Sequence, residues 1–257
     1  MDPRVAVIGL IVGLLAGFSG VGGSSVMTPL MILFLGVKPL VAVGTDLVYS
    51  VPTKLLGAYV HRRQGTVEWR VAYSLALGGV PAAVFGLVAL NLLRTHLELS
   101  VLNAVLKHGI GLLLFLVAVA LVLAPLLQHR TVERSSLPWM PALRRRIVVL
   151  GALVGGLVSL TSIGSGSITV PLLYVLLPRL ALRRLVGSDV AFAAVLIPVA
   201  ALGHLAMGTV NLALSANLLV GSLPGVYLGS KLCARVPEAW LRPALAGVLL
   251  FTGSRLV

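Results

Sequence analysis

Two stretches of this 257-residue chain set glycine and hydroxyl residues in the middle of long apolar runs: Ser19-Gly20-Val21-Gly22-Gly23-Ser24-Ser25 and Ser159-Leu160-Thr161-Ser162-Ile163-Gly164-Ser165-Gly166-Ser167. Glycine lets backbone amides close on a ligand, and serine or threonine adds hydroxyl donors, so the chemistry on offer is hydrogen bonding to a small oxyanion. Gly20, Gly22, Gly23, Ser24, Ser25 and Thr28 form one donor set; Ser162, Gly164, Ser165, Gly166, Ser167 and Thr169 form the other. A helix restarting near Ser25 or Val26, and another near Ser167 or Ile168, would aim a positive dipole end and unpaired N–H groups at the same anion. Three ionisable residues stand in apolar sequence nearby: Asp46, Lys54 and Asp189. Charge inside a membrane segment is costly and marks function. The two acids either carry protons, which would relieve their repulsion of a bound anion, or have the plainer role of capping helix starts after Gly44-Thr45 and Gly187-Ser188 or accepting hydrogen bonds from hairpin backbone amides. Lys54 follows Pro52, which disturbs a helix. It is read as a counter-charge to substrate or a partner of Asp46, against the plainer role of a lysine snorkelling along a span.

The elements that must hold these groups are membrane helices. The chain is 58% hydrophobic and 11% charged, with mean hydropathy +1.07, whereas soluble domains carry about 25% charged residues. Its formal charge of +13 would suggest nucleic-acid binding in a soluble protein but reports topology here. Cys233 alone allows neither a disulfide nor a cysteine metal site, and no cofactor or metal motif is read. The first apolar run, from Val5, is taken as part of the mature chain. Apolar runs cover about 5–37, 40–60, 71–93, 105–127, 147–177, 185–204, 211–232 and 239–254. The first and fifth are too long: about 30 residues reach roughly 45 Å, against a hydrocarbon core of about 30 Å. The Gly/Ser stretches break each into two half-helices of about 10–14 residues.

The two halves repeat. Gly22 matches Gly164 and Pro29 matches Pro171 at an offset of 142. One inserted residue later, at 143, Gly44 matches Gly187, Asp46 matches Asp189, His61 matches His204, and Gly65-Thr66-Val67 matches Gly208-Thr209-Val210. Gly78, Pro81 and Gly86 then pair with Gly221, Pro224 and Gly229. Equivalent loops differ in charge: His61-Arg62-Arg63 to Arg70 is basic, while His204 to Asn211 has no Lys or Arg; Lys38 stands alone where the second half has Arg179, Arg183 and Arg184. The positive-inside rule therefore puts equivalent loops on opposite faces. That requires each broken run to enter and leave on one side. The expectation is an all-α polytopic membrane protein of two inverted repeats, each a re-entrant helical hairpin plus three transmembrane helices. The repeats are residues 1–127 and 147–257, joined by a basic cytoplasmic linker, 128–146, with both termini external. Fully crossing runs would instead give eight spans and parallel repeats. Arg144-Arg145-Arg146 anchors topology in this reading, with contact to anionic lipid as the sharper alternative. His61 and His204 are read as polar turn residues. Small-xxx-small spacings at Gly151, Gly155 and Gly156, and at Gly221, Gly225 and Gly229, could pack helices within the chain or between copies in a homo-oligomer.

Inverted repeats with paired broken helices point to a secondary transporter with its site between the repeats. In Gly17-Phe18-Ser19-Gly20-Val21-Gly22-Gly23 leading to Pro29, Ala42-Val43-Gly44-Thr45-Asp46-Leu47 and His61 with Gly65-Thr66-Val67, and in their echoes Gly164-Ser165-Gly166 to Pro171, Gly187-Ser188-Asp189 and His204 to Val210, the chain resembles the sulfite exporter TauE/SafE family of membrane permeases. The resemblance covers almost the whole chain and implies transport of a sulfur-containing anion, such as sulfite or a sulfonate, across a cell membrane and coupled to an ion gradient. The coupling ion is read as the proton. The second hairpin departs from the pattern by replacing part of the glycine run with Ser and Thr. Two other classes compete: a passive anion channel, and an intramembrane serine hydrolase suggested by Gly17-Phe18-Ser19-Gly20, whose duplicate Ser159-Leu160-Thr161-Ser162 loses the string. No Gly-Lys-Ser or Gly-Lys-Thr closes a nucleotide-binding loop.

Overall fold

A computed structural model describes residues 3–19, 24–123, 141–178, 180–233 and 238–256. These form α1 (Pro3–Ser19), α2 (Ser24–Phe34), α3 (Pro39–Arg63), α4 (Trp69–His96), α5 (Leu99–Leu123), α6 (Pro141–Thr161), α7 (Thr169–Leu176), α8 (Leu182–Ala206), α9 (Leu212–Cys233) and α10 (Glu238–Leu256). The protein is an all-α membrane protein. Trp69–His96, Leu99–Val119 and Leu182–Ala206 are long and apolar enough to cross a bilayer, and shorter apolar helices cover Ser25–Phe34, Leu212–Gly225 and Ala246–Leu256. Large apolar side chains face outward, among them Phe85 at 76% and Leu202 at 66% exposure, while Asp46, Asp189, His204 and a series of Ser and Thr are buried. Apolar outside and polar inside is the arrangement a hydrocarbon solvent selects.

The broken runs divide unequally. The expected pairs of half-helices, 10–14 residues each, are replaced by 17 and 11 residues in α1 and α2, and by 21 and 8 in α6 and α7. The sixth helix is longer because it starts at Pro141, a favoured first helical residue, so the last six residues assigned to the linker are helix. Arg144–Arg146 are thus an early turn of α6. The rest of the linker, residues 124–140, lies outside the described residues.

Close backbone approaches set the packing. A side chain at Gly151 would meet the Leu75 carbonyl, and one at Gly155 the Gly79 carbonyl, so α6 runs parallel to α4. Gly9 and Gly13 meet Leu218 and Ser222 in the same way, so α1 runs parallel to α9. Leu75 and Gly79 stand 143 residues before Leu218 and Ser222. Gly151 and Gly155 therefore pack helices within the chain. By contrast α3 and α8 are antiparallel. A Cβ on Gly44, near the start of α3, would sit 2.5 Å from the Thr209 carbonyl just beyond α8, and one on Gly187 would sit 2.5 Å from the Thr66 carbonyl just beyond α3.

These end-to-end contacts are reciprocal. Each helix ends on a left-handed glycine, Gly65 at φ 64° and Gly208 at φ 67°, which turns the chain back onto the helix. The Thr66 amide then bonds the His61 carbonyl and the Thr209 amide the His204 carbonyl, both at 3.1 Å. Imidazole Nδ1 pairs with the threonine Oγ1, at 2.8 Å for His61–Thr66 and 2.9 Å for His204–Thr209. Each loop then docks on the other half: the Glu68 amide donates to Ser188 Oγ at 2.9 Å, and the Asn211 amide donates to Thr45 Oγ1 at 3.0 Å. Arg184 adds an ion pair to Glu68 at 3.5 Å, and Arg94 donates to the Met207 carbonyl. It follows that the starts of α4, α6 and α8 share one face, with Arg70, Arg144–Arg146, Arg183 and Arg184. The starts of α1, α3 and α9 share the other, with Lys38.

Gly155→Leu would press a side chain into the α4 backbone, whereas a Cβ on Gly156 meets open space. Overpacking costs about 1–3 kcal/mol, so Gly155→Leu is expected to lower the unfolding midpoint in detergent by on the order of 5 °C. Gly156→Leu is expected to leave it within about a degree. A thermal-shift assay of the two purified variants checks the pair.

Candidate functional site

The break between α6 and α7 lies against the two buried acids. The α6 helix ends at Thr161, and Ser162 takes a left-handed backbone at φ 63° while its amide still bonds the Val158 carbonyl at 2.8 Å. For a non-glycine residue that conformation is strained and is kept only where surroundings hold it. What holds it here is a carboxylate: Ser162 Oγ donates to Asp46 Oδ2 at 2.5 Å. Thr28 Oγ1, from α2, donates to the same oxygen at 2.9 Å. Asp46 therefore ties together one group from each broken run. It lies two turns into α3, whose N-cap is Lys38 without a side-chain cap bond, so the helix-capping alternative is corrected. Asp189 in α8 caps no helix start either, since the N-cap is Ala181, but a hairpin backbone amide, that of Gly166, does stand beside its carboxylate, as the plainer reading also allowed.

Asp189 is reached by the same loop three residues later. Ser165 Oγ donates to Asp189 Oδ2 at 3.4 Å and accepts from Lys54 Nζ, also at 3.4 Å. The Thr169 hydroxyl and the Gly166 amide lie beside this carboxylate. Lys54 is half-buried, and its charge acts on both acids. It is thus placed toward Asp189, through Ser165, rather than solely as the expected partner of Asp46. Its repeat counterpart is Ile197, so the two acids have unlike surroundings.

The hydroxyls expected to face an anion are mostly engaged with protein. Thr28, Ser162 and Ser165 serve carboxylates, and Thr169 Oγ1 donates to the Gly164 carbonyl at 3.1 Å. That carbonyl also accepts the Ile168 and Thr169 amides, at 3.1 and 3.2 Å, so the start of α7 is not the bare row of N–H groups anticipated. The physical reason is that buried donors must find acceptors, and the two carboxylates and the Gly164 carbonyl supply them here. Three buried atoms have no hydrogen-bond partner among the described residues: Asp46 Oδ1, Asp189 Oδ1 and Ser167 Oγ. Gly164 at φ 146° and Gly166 at φ 86° give the loop turns that side chains resist. Ser25 is buried at the start of α2. Gly20, Gly22 and Gly23 lie outside the described residues, as does the side chain of Ser24.

Sequence reading missed the roles of Thr45 and Ser188, which receive the exchanged loops, and of the Ser159 carbonyl, which lies 2.9 Å from His204 Nε2. The repeated Gly-Thr and Gly-Ser before each acid were the available signal. His204 is fully buried and His61 is half-buried; both act at loop turns, as expected.

The profile of the family described as "Sulfite exporter TauE/SafE" matches residues 5–256. The chain is 36% identical over 260 residues to "Probable membrane transporter protein YjnA" of Bacillus subtilis (strain 168), with 100% of each chain covered. It is 29% identical to "Probable membrane transporter protein YdhB" of the same organism, over 96% of this chain and 98% of that one. A "Probable membrane transporter protein" of Xylella fastidiosa (strain 9a5c) is 27% identical over 88% of this chain and 83% of its own. No solved structure matches the chain. Matched from end to end by this profile, the chain belongs to the sulfite exporter TauE/SafE family of membrane transporters.

Proposed function

We propose that the protein is a proton-coupled secondary carrier for a small sulfur-containing oxyanion, such as sulfite or an organosulfonate, and neither a passive channel nor a hydrolase. The observation that carries this reading is the convergence of Thr28 and Ser162, from the two broken runs, on one oxygen of Asp46. In this proposal the broken runs are re-entrant hairpins of two inverted repeats, 1–127 and 147–257, and the anion binds between them. Support comes from the shared faces on which α1 and α3, and α6 and α8, begin.

The coupling follows from charge. Asp46 and Asp189, if both ionised, oppose one ammonium, Lys54, so the site starts one negative charge in excess. A monoanion about 4 Å from an ionised carboxylate meets a repulsion of about 4 kcal/mol at an effective dielectric constant of about 20. Lys54 neutralises Asp189 through Ser165, which leaves Asp46 as the group that takes up the proton. Protonation does more than remove repulsion: a neutral Asp46 holds the Thr28 and Ser162 hydroxyls less strongly, because hydrogen bonds to ionised acceptors are about twice as strong. Both hydroxyls can then turn to the oxyanion, with Ser167 Oγ as a further donor. Each release of the proton pulls the hydroxyls back and expels the anion. Alternating access presents this exchange first to one face and then to the other.

Flux of radiolabelled sulfite and sulfonates into proteoliposomes, with and without an imposed pH gradient, tests the reading. Saturable uptake accelerated by the gradient is expected; non-saturating conductance indifferent to it would mean a channel. Asp46→Asn is expected to abolish acceleration by the gradient, at least about tenfold, while anion counterflow persists. Lys54→Ala is expected to raise the KM for the anion about tenfold or more. Normal coupled flux in both variants would remove these residues from the mechanism. For orientation, single cysteines introduced at Gln64 and at Leu182 are expected to label only from the cytoplasm, and one at Met207 only from outside. Labelling of residue 64 from outside would reverse the assigned sidedness.

A further inference from the structure

We propose that the outer face of α6 and the end of α7 form a binding site for one anionic phospholipid. A groove of about 470 Å³ is lined by Ala142, Arg145, Arg146, Val149, Leu150 and Leu176. Five of these follow i, i+3 and i+4 spacing along a single face of α6, and Leu176 is the last residue of α7. The chemistry divides by depth. Arg145 and Arg146 stand at the end of α6 that shares a face with Arg70 and Arg184, where headgroups lie, and Val149 and Leu150 lie one turn further in, about 5 Å. Neither arginine makes an ion pair or hydrogen bond among the described residues, and Glu68, an acid on the same face, is already paired with Arg184. No acidic side chain occupies the first turn of α6, so the partial positive charge of the helix start adds to the two guanidinium groups.

A phosphate diester bearing acyl chains satisfies both parts of this groove. Guanidinium groups bind phosphate oxygens in a planar, two-pronged geometry, and the apolar wall below them accepts the chains. A free phosphate ion would leave that wall unused. Because the groove joins α6 to α7, the lipid would brace the two arms of the broken run that carries Ser162, Ser165 and Ser167. Its occupancy thus bears on the transport site without lying in it, and the proposal stands whatever anion the protein carries.

The test is retention of lipid by the purified full-length protein, measured by native mass spectrometry after exchange into mixed micelles of phosphatidylglycerol and phosphatidylcholine. One phosphatidylglycerol is expected to be held about 30-fold more tightly than phosphatidylcholine, the factor for two arginines at a charged surface. Arg145→Gln with Arg146→Gln is expected to abolish the preference while the protein elutes as the wild type does. Arg62→Gln with Arg70→Gln, exposed on the same face, is expected to preserve it. Equal retention of the two lipids overturns the site, as does a preference surviving in the first double variant. Equal loss in the second double variant would show a diffuse basic surface, and displacement by inorganic phosphate alone would show a headgroup-sized anion site; either also overturns it.

Discussion

A carboxylate buried where water does not reach must have its charge answered by something, and the rest of this molecule is organised around two of them. Asp46 and Asp189 are each essentially fully buried. Desolvation of an isolated carboxylate in hydrocarbon is prohibitive, so the groups around each acid are a condition for the fold to exist. Thr28, Ser162 and Ser165 meet that condition from the broken segments, and Lys54 meets it from the span. The segments must break where they do because an unbroken helix would bond its own amides and could not deliver a loop to both carboxylates.

Holding a loop at that depth demands rigid neighbours. Glycines at the contact between α4 and α6, and between α1 and α9, bring backbones close enough for dispersion and weak Cα–H contacts to act without any hydrophobic driving force between helices. The long arm of each broken run is thereby fixed to a helix of the other half, while the short arms pack more lightly, α2 between α3 and α10 and α7 between α6 and α8. This division of labour explains the unequal arm lengths: one arm is a packing element, and the other closes the loop.

Much of this was legible in the chain. The apolar runs locate the helices, because a bilayer imposes both length and composition, although α5 starts at Leu99, ahead of the run expected from about 105. The collinear Gly, Asp and His pairs expose the duplication, and the contrast between Arg62-Arg63 and the uncharged loop after His204 separates the faces on which those loops lie. Three things were not legible. Pro141 lies before the apolar residues of α6, in what reads as a basic linker, so the helix looked shorter than it is. That the hydroxyls of Thr28 and Ser162 meet on Asp46 was not legible, since residue type alone does not say which acceptor inside the protein a donor meets. Thr45 and Ser188 looked like bystanders to the acids beside them, because their partners lie 166 and 120 residues away.

The exchanged loops also bind the two halves to one another. Each half carries a loop, Gly-Thr-Val followed by an amide donor, and a receiving notch, Gly followed by a hydroxyl residue, and each loop docks on the notch of the other half. Neither half supplies both sides of either contact, since each lends one loop and receives one. The two halves therefore grip each other at two equivalent points, yet they are not interchangeable: Lys54 in one stands where the other has Ile197, so the surroundings of the two acids are unequal.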